Sequence, residues 1–421
     1  MRIARGLACL VVSATALAGI TPVASAAEIR KPPGTSGSRT ASGKVEEARP
    51  AFYQPPKTIP AKPGTIIRTE AARRGIDPAN VASISYHSTR MLYSSTDRSG
   101  APVAVSSLVV VPTEPWTGAG PRPVIAYAPV TQGMADRCAP SRRSARFLAY
   151  EELFYWNLLR EGYAVAMTDY QGLGTPGTHT YMNRISQGRA VLDAARAALK
   201  LPNARLSPDS PIGIVGYSQG GGAAAAAAEL ASSWAPELNI VEASIGAPPA
   251  DLSQLTKVVD GKESSMFMLY ALAGLMGGYG IDPNKHLNNM GKYYLGRAED
   301  SCMGDKKSLA NVHSSKLMKN GKPLSEQFAL EPFRSILAEN KIGNLKPSMP
   351  VLINHSTRDE TIPFSSGKQL QQQWCKAGAV VHLAANQAKS HAWGIKPHIG
   401  KTRTFFNQVF AGWSVRGNCG K

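Results

Sequence analysis

Residues 212–230 read IGIVGYSQGGGAAAAAAEL. A short apolar run rich in Ile and Val ends in Gly-Tyr-Ser-Gln-Gly, and an alanine-rich stretch follows at once. The first part has the composition of a buried strand. The second has high helix propensity and little side-chain bulk, so such a helix lies close against a sheet. Joining the two without a spacer demands a sharp turn at Ser218. That turn crowds its neighbours, so small residues are needed two positions before and after the serine. Gly216 and Gly220 meet the need. A chain with this unit is committed to strand–turn–helix layering.

The rest of the chain repeats the layering. Residues 103–112, 123–130, 163–170, 212–218, 350–357 and 380–385 are short, apolar and Val/Ile-rich, and predict strands. Residues 151–162, 189–200, 221–235 and 368–378 predict helices between them. Strand and helix in alternation, with near-continuous apolar strands, imply an α/β fold: a mostly parallel sheet covered by helices on both faces. One interval breaks the pattern. Residues 250–345 show no clear strand and contain SSMFMLYALAGLMGGYGI followed by a lysine-bearing polar stretch, which predicts a helical cap inserted between two sheet strands.

A serine hydroxyl is a weak nucleophile without a base, and the base needs an acid to orient it. In the α/β-hydrolase order these follow as Ser, then Asp or Glu, then His. Asp359 lies in the polar loop after the strand in MPVLINHST, with Glu360 as the adjacent alternative. His391 lies after the next strand and before the final helix in TRTFFNQVFAGW. His398 is the weaker candidate base, and His382, mid-strand, reads as a half-buried structural histidine. An oxyanion hole needs two fixed backbone N–H groups. One is expected from Gln219, the residue after the nucleophile. Two strand-end loops compete for the other, residues 168–174 (TDYQGLG) and 131–138 (TQGMADRC).

Charge and cysteines bound the setting. The 421 residues carry a formal net charge of +18, which favours contact with anionic surfaces. No nucleic-acid-binding motif or arginine-rich tract accompanies it. Arg2 and Arg5, the apolar run 7–20 and the Ala24-Ser25-Ala26 site together predict a secretory signal peptide over residues 1–26. Residues 27–64, rich in Pro, Gly, Ser and Lys at their start, predict an extended arm, and residues 65–421 the main domain. Cys138, Cys302, Cys375 and Cys419 are an even set in an exported chain and predict two disulfides, with three pairings open. No C-x-x-C spacing suggests zinc, and no cofactor or metal is expected.

The residues carry a further likeness. FYQPPKTIPAKPGTIIR, DYQGLG, AVLDAARAAL, GYSQGG, WAPELNIVEASIGAPP, QWCKAGA and SHAWG, spread over most of the mature chain, resemble the secretory lipases of the lipase A type from yeasts and actinomycetes. The resemblance implies an α/β-hydrolase fold and a catalytic set of Ser218, Asp359 and His391. It implies Asp169, in the DYQGLG loop, as second oxyanion donor. It maps a C-terminal disulfide onto Cys375 and Cys419, which leaves Cys138 with Cys302. It implies a helical cap over an acyl tunnel, which MFMLYALAGLM (266–276) would line unless that segment only packs on itself. Gln219 departs from the glycine of the lipase A type, and its side chain is expected to narrow the site.

The resulting expectation is a secreted serine ester hydrolase acting on lipid-like esters such as acylglycerols. The same machinery handing its acyl group to an alcohol would make an acyltransferase of cell-envelope lipids. A serine peptidase is a further variant of that chemistry. A surface binding protein on a hydrolase scaffold is the reading from a different class. The lysine-bearing stretch 306–322, with five lysines and no acid, suggests contact with an anionic lipid surface or simple solubilisation.

Overall fold

The computed structural model describes residues 49–76, 84–144 and 151–420. The expected signal peptide and residues 27–48 of the expected arm lie outside the described residues. Nine strands form one sheet: β1 (Ile66–Ile76), β2 (Ser85–Thr96), β3 (Pro102–Pro112), β4 (Val124–Ala128), β5 (Ala164–Thr168), β6 (Ile212–Tyr217), β7 (Ile240–Gly246), β8 (Val351–Ser356) and β9 (Val381–Asn386). Their spatial order is β1-β2-β3-β5-β4-β6-β7-β8-β9. Pairings up to β3–β5 are antiparallel, and those from β5–β4 onward are parallel. Every residue of β4, β5, β6 and β8 is buried, which is why these strands read as unbroken apolar runs.

Helices cover both faces. On one lie α2 (Arg184–Ala198), the alanine helix α3 (Gln219–Trp234) and α5 (Phe364–Lys376), with Leu370 and Trp374 in the same core as Ala223–Ala228. On the other lie α1 (Glu152–Arg160) and the final helix α6 (His391–Phe410), which share a core through Tyr155, Leu158, Phe405 and Phe406. Between β7 and β8 the interval expected to be a cap is helical. It includes Leu252–Val259, α4 (Ser265–Tyr279), Asn289–Glu299 and Phe333–Asn340. Met266, Leu269, Tyr270, Leu295, Leu317 and Phe333 build a separate apolar cluster there.

The hairpin β1–β2 and strand β7 are additions to the expected set. β9 is an edge strand with Val381 buried but His382 exposed, so His382 is not the half-buried histidine its position suggested. Both disulfides join the pairs implied by the resemblance. Cys138–Cys302 ties the loop after β4 to the cap, and Cys375–Cys419 ties the C-terminus to α5. The first is reinforced by backbone hydrogen bonds from Met303 N–H to Gln132 O and from Met134 N–H to Ser301 O, both 2.9 Å.

Candidate active site

Ser218 stands between the last residue of β6 and the first of α3, with φ 58° and ψ −121°. This left-handed-side conformation is costly for a residue with a Cβ, and the packing around it must hold it there. The flanking glycines make that packing possible. A Cβ on Gly216 would sit 2.1 Å from Gly220 O, and one on Gly220 would sit 2.1 Å from Ala128 O. The turn therefore abuts both itself and the end of β4.

His391 is the first residue of α6, not part of a loop before it. Ser390 caps the helix, and the His391 backbone is fixed at both ends. Its N–H donates to Glu360 Oε2 (2.9 Å), and its C=O accepts from Tyr217 Oη (2.6 Å). The imidazole then lies between two partners: Nδ1 is 2.7 Å from Asp359 Oδ2, and Nε2 is 2.8 Å from Ser218 Oγ. A carboxylate only accepts, so Nδ1 carries the proton and Nε2 accepts from the serine hydroxyl.

Asp359 follows β8 in a tight turn. Its Oδ1 accepts from the N–H groups of Thr361 (3.0 Å) and Ile362 (2.8 Å). Burial alone would raise this carboxyl. The close approach of His355, the hydrogen bond from His391 and the Ile362 N–H overcome it and hold the group well below the usual carboxylate range. Glu360, the alternative acid, holds the His391 backbone instead of the ring. His398 is buried within α6, 5.5 Å from the Tyr217 ring centroid, and burial lowers it to about 3.

Two buried histidines were not singled out by sequence. His355 Nε2 donates to Ile362 O (2.9 Å) and lies 3.4 Å from Asp359 Oδ2, behind the acid. His179 stacks on Tyr170, and burial keeps it neutral by lowering it to about 4. Its Nδ1–H donates to Gln171 O, and its Nε2 accepts from the Gln219 side-chain amide, both at 3.1 Å. The Gln219 side chain is thus drawn away, and it does not border the cavity at Ser218, contrary to the expected narrowing. A histidine inside an apolar strand (VLINHS) was the one available signal for His355.

Gln219 begins α3, where a backbone N–H has no intrahelical acceptor. The expected second donor, Asp169, is not brought to the site. Its N–H donates to Ser106 O at 2.8 Å and so continues the β3–β5 ladder. Its carboxylate is buried on Ser106 Oγ (2.6 Å), Ser141 N–H (2.9 Å) and Ser141 Oγ, and burial pushes it up to about 6. The competing loop is the one at hand: Val130 and Thr131 border the same cavity as Ser218.

That cavity holds about 720 Å³. Val258, Met266 and Phe267 of the cap form one wall, and Phe154, Ala392 and Ile395 line it from α1 and α6. Ser218 and Phe267 also border a narrow space of about 50 Å³ between Leu255, Met268, Leu272 and Leu275. Among the described residues, no group of three or more His, Cys, Asp or Glu is placed to hold a metal ion.

A family model described as secretory lipase matches residues 139–415. A probable inactive lipase of Mycobacterium tuberculosis is 30% identical over 371 residues, 84% of this chain and 80% of that one. A secreted triacylglycerol lipase of Malassezia globosa is 28% identical over 347 residues, 78% and 71% of the two chains. Among solved structures, Candida antarctica lipase A in its closed state superposes with a TM-score of 0.77 at 22% identity, covering 88% of each chain. The rice cell wall degrading esterase of Xanthomonas oryzae superposes with a TM-score of 0.65, covering 83% of this chain and 97% of that one. The α/β-hydrolase fold and the family match agree, and the chain belongs to the secretory lipase family of ester hydrolases.

Proposed function

We propose that this protein is an exported lipase or esterase that cleaves lipid-like carboxylic esters, acylglycerols among them, through an acyl-enzyme on Ser218. The observation that carries the proposal is the hydrogen-bonded series Ser218 Oγ–His391–Asp359 at 2.8 and 2.7 Å. Ser218 Oγ attacks the ester carbonyl as its proton passes to His391 Nε2. Asp359 holds the Nδ1–H tautomer and stabilises the imidazolium. The oxyanion is held by the Gln219 N–H and by a second donor from the turn that follows β4, in which the Val130 N–H is itself tied to Glu151. His391 returns the proton to the leaving alkoxide, the alcohol departs, and water then cleaves the acyl-enzyme with His391 as base.

The apolar walls formed by Val258, Met266 and Phe267 suit a hydrocarbon chain better than a peptide. Export is supported by the positively charged, apolar start of the chain and by the two disulfides.

One observation favours a second reading, a non-catalytic scaffold: the mycobacterial relative carries the name of an inactive lipase. A fluorophosphonate probe separates the two. Labelling of the folded protein that disappears in Ser218→Ala supports the enzyme; a folded protein that takes no label supports the scaffold.

A further inference from the structure

Glu360 is the last acidic residue in the chain. Eight Lys and Arg follow it with no Asp or Glu, a large share of the net +18. Two of these lie on α5, across the sheet from α6. The basic residues that matter here are Lys389, Lys396, Lys401 and Arg403, all exposed along α6 and the turn before it. The helix turns His391, Gly394, His398, Thr402, Phe405 and Phe406 inward. Trp393, Lys396, Gly400 and Arg403 follow one another at helical spacing on the outward side.

An exposed tryptophan stands near each end of this helix. Trp393, in the first turn, is 55% exposed, and Trp413, just past the last turn, is 66% exposed. Lys389 Nζ lies 4.6 Å from the Trp393 ring centroid, which orders the pair. Arg403 faces an acid, Glu161, at 3.8 Å. Exposed indoles beside lysines on a helix that keeps its other side in the core is the pattern of an interfacial surface. The indoles enter the headgroup region while the cations meet anionic headgroups. Position adds to composition. Ala392 and Ile395, in the same first turn as Trp393, line the cavity at Ser218.

We propose that the outward face of α6, from Lys389 and Trp393 to Trp413, docks the protein on an anionic lipid surface and thereby brings the cavity mouth to the lipids that carry the ester. The proposal rests on the ester-hydrolase reading for what is delivered, but docking itself does not need turnover. It also relocates the lipid contact that the stretch 306–322 suggested. There Lys322 is engaged by Glu326 at 3.4 Å, and no exposed tryptophan accompanies the lysines among the described residues.

The test is co-sedimentation of the secreted chain carrying Ser218→Ala, so that lipid is not consumed. The vesicles are phosphatidylcholine alone, or equal parts phosphatidylcholine and phosphatidylglycerol. Binding to the anionic vesicles at least about tenfold tighter than to the neutral ones, and weakened by salt, is expected. Lys389→Glu with Lys396→Glu lowers that affinity about tenfold or more, as does Trp393→Ala alone. The lysine double variant, with Ser218 restored, keeps its melting temperature and its turnover of a soluble acetyl ester. No binding to anionic vesicles, equal binding to both, or unchanged binding by these variants overturns the proposal. A Ser218 protein that docks yet fails to cleave the soluble ester leaves docking intact and overturns the hydrolase reading instead.

Discussion

At the scale of residues, Asp359 and Glu360 are neighbours with different tasks. Asp359 receives the imidazole N–H, and Glu360 receives the backbone N–H of the same histidine. Asp359→Asn removes the negative charge and mispairs the ring proton, so kcat falls by about 10³–10⁴-fold with the fold intact. Glu360→Gln keeps an acceptor for the His391 N–H and lowers kcat by no more than about tenfold. Steady-state kinetics on one soluble ester compare them, and equal losses would show the roles to be shared. The approach of Ser218, His391 and Asp359 was legible because each follows a strand of a parallel sheet, in a fixed order. The placement of Asp169 was not. Its N–H is taken by β3, and sequence does not reveal that β3 lies beside β5, since that pairing is non-local.

At the scale of elements, the turn after β4 is the part of the site most dependent on borrowed support. Buried Glu151 accepts from Val130 N–H (2.9 Å), the Gln132 side-chain amide (2.8 Å) and Tyr127 Oη (2.7 Å). Tyr170 Oη holds Pro129 O at 2.8 Å. Glu151→Gln turns an amide N–H₂ toward these donors and loosens the turn. The expected result is a kcat loss of about 10- to 100-fold with KM changed less than about threefold. A change confined to KM would contradict a role in holding the oxyanion.

Phe267 lines both the open cavity and the narrow apolar space, and both border Ser218. Phe267→Ala joins them, and the ratio of palmitoyl to butyryl ester hydrolysis rises about tenfold. A falling ratio would show that Phe267 grips the chain instead of blocking it.

The expected tunnel lining at 266–276 is divided in the structure: Leu269 and Tyr270 pack within the cap cluster, while Met266, which shares that cluster, and Phe267 border the cavity. The start of α6 escaped the sequence pattern because Gly394, Pro397 and Gly400 interrupt it, though Ser390 caps the helix ahead of them. The hairpin β1–β2 escaped because its strands mix Arg, Ser and Thr into the apolar positions.

At the scale of the whole molecule, the fold carries buried ionisable groups that couple stability to pH. Both Glu242 oxygens lack a hydrogen-bond partner among the described residues, and burial pushes the carboxyl up to about 9. A raised acid favours the protonated native state. Its contribution is full below the ordinary value of 4.5 and is lost as pH climbs toward 9. Glu242→Gln removes that loss. The variant is more stable at pH 8 by about 1–3 kcal/mol, and the difference closes below pH 4.5. Melting temperatures across pH check this, and a pH-independent difference would contradict it.

The layering of sheet and helices was legible because most of the buried parallel strands announce themselves as continuous apolar runs, and β7, which carries Glu242, does not. In the proposed function this architecture serves ester cleavage at Ser218. The most direct measurement is hydrolysis of p-nitrophenyl esters from acetyl to palmitoyl by the secreted protein, with Ser218→Ala beside it. Hydrolysis across the series by the parent and a loss of at least about 10⁴-fold in the variant are expected. Hydrolysis that survives in Ser218→Ala, or a folded parent inert to every ester, would contradict the proposed function.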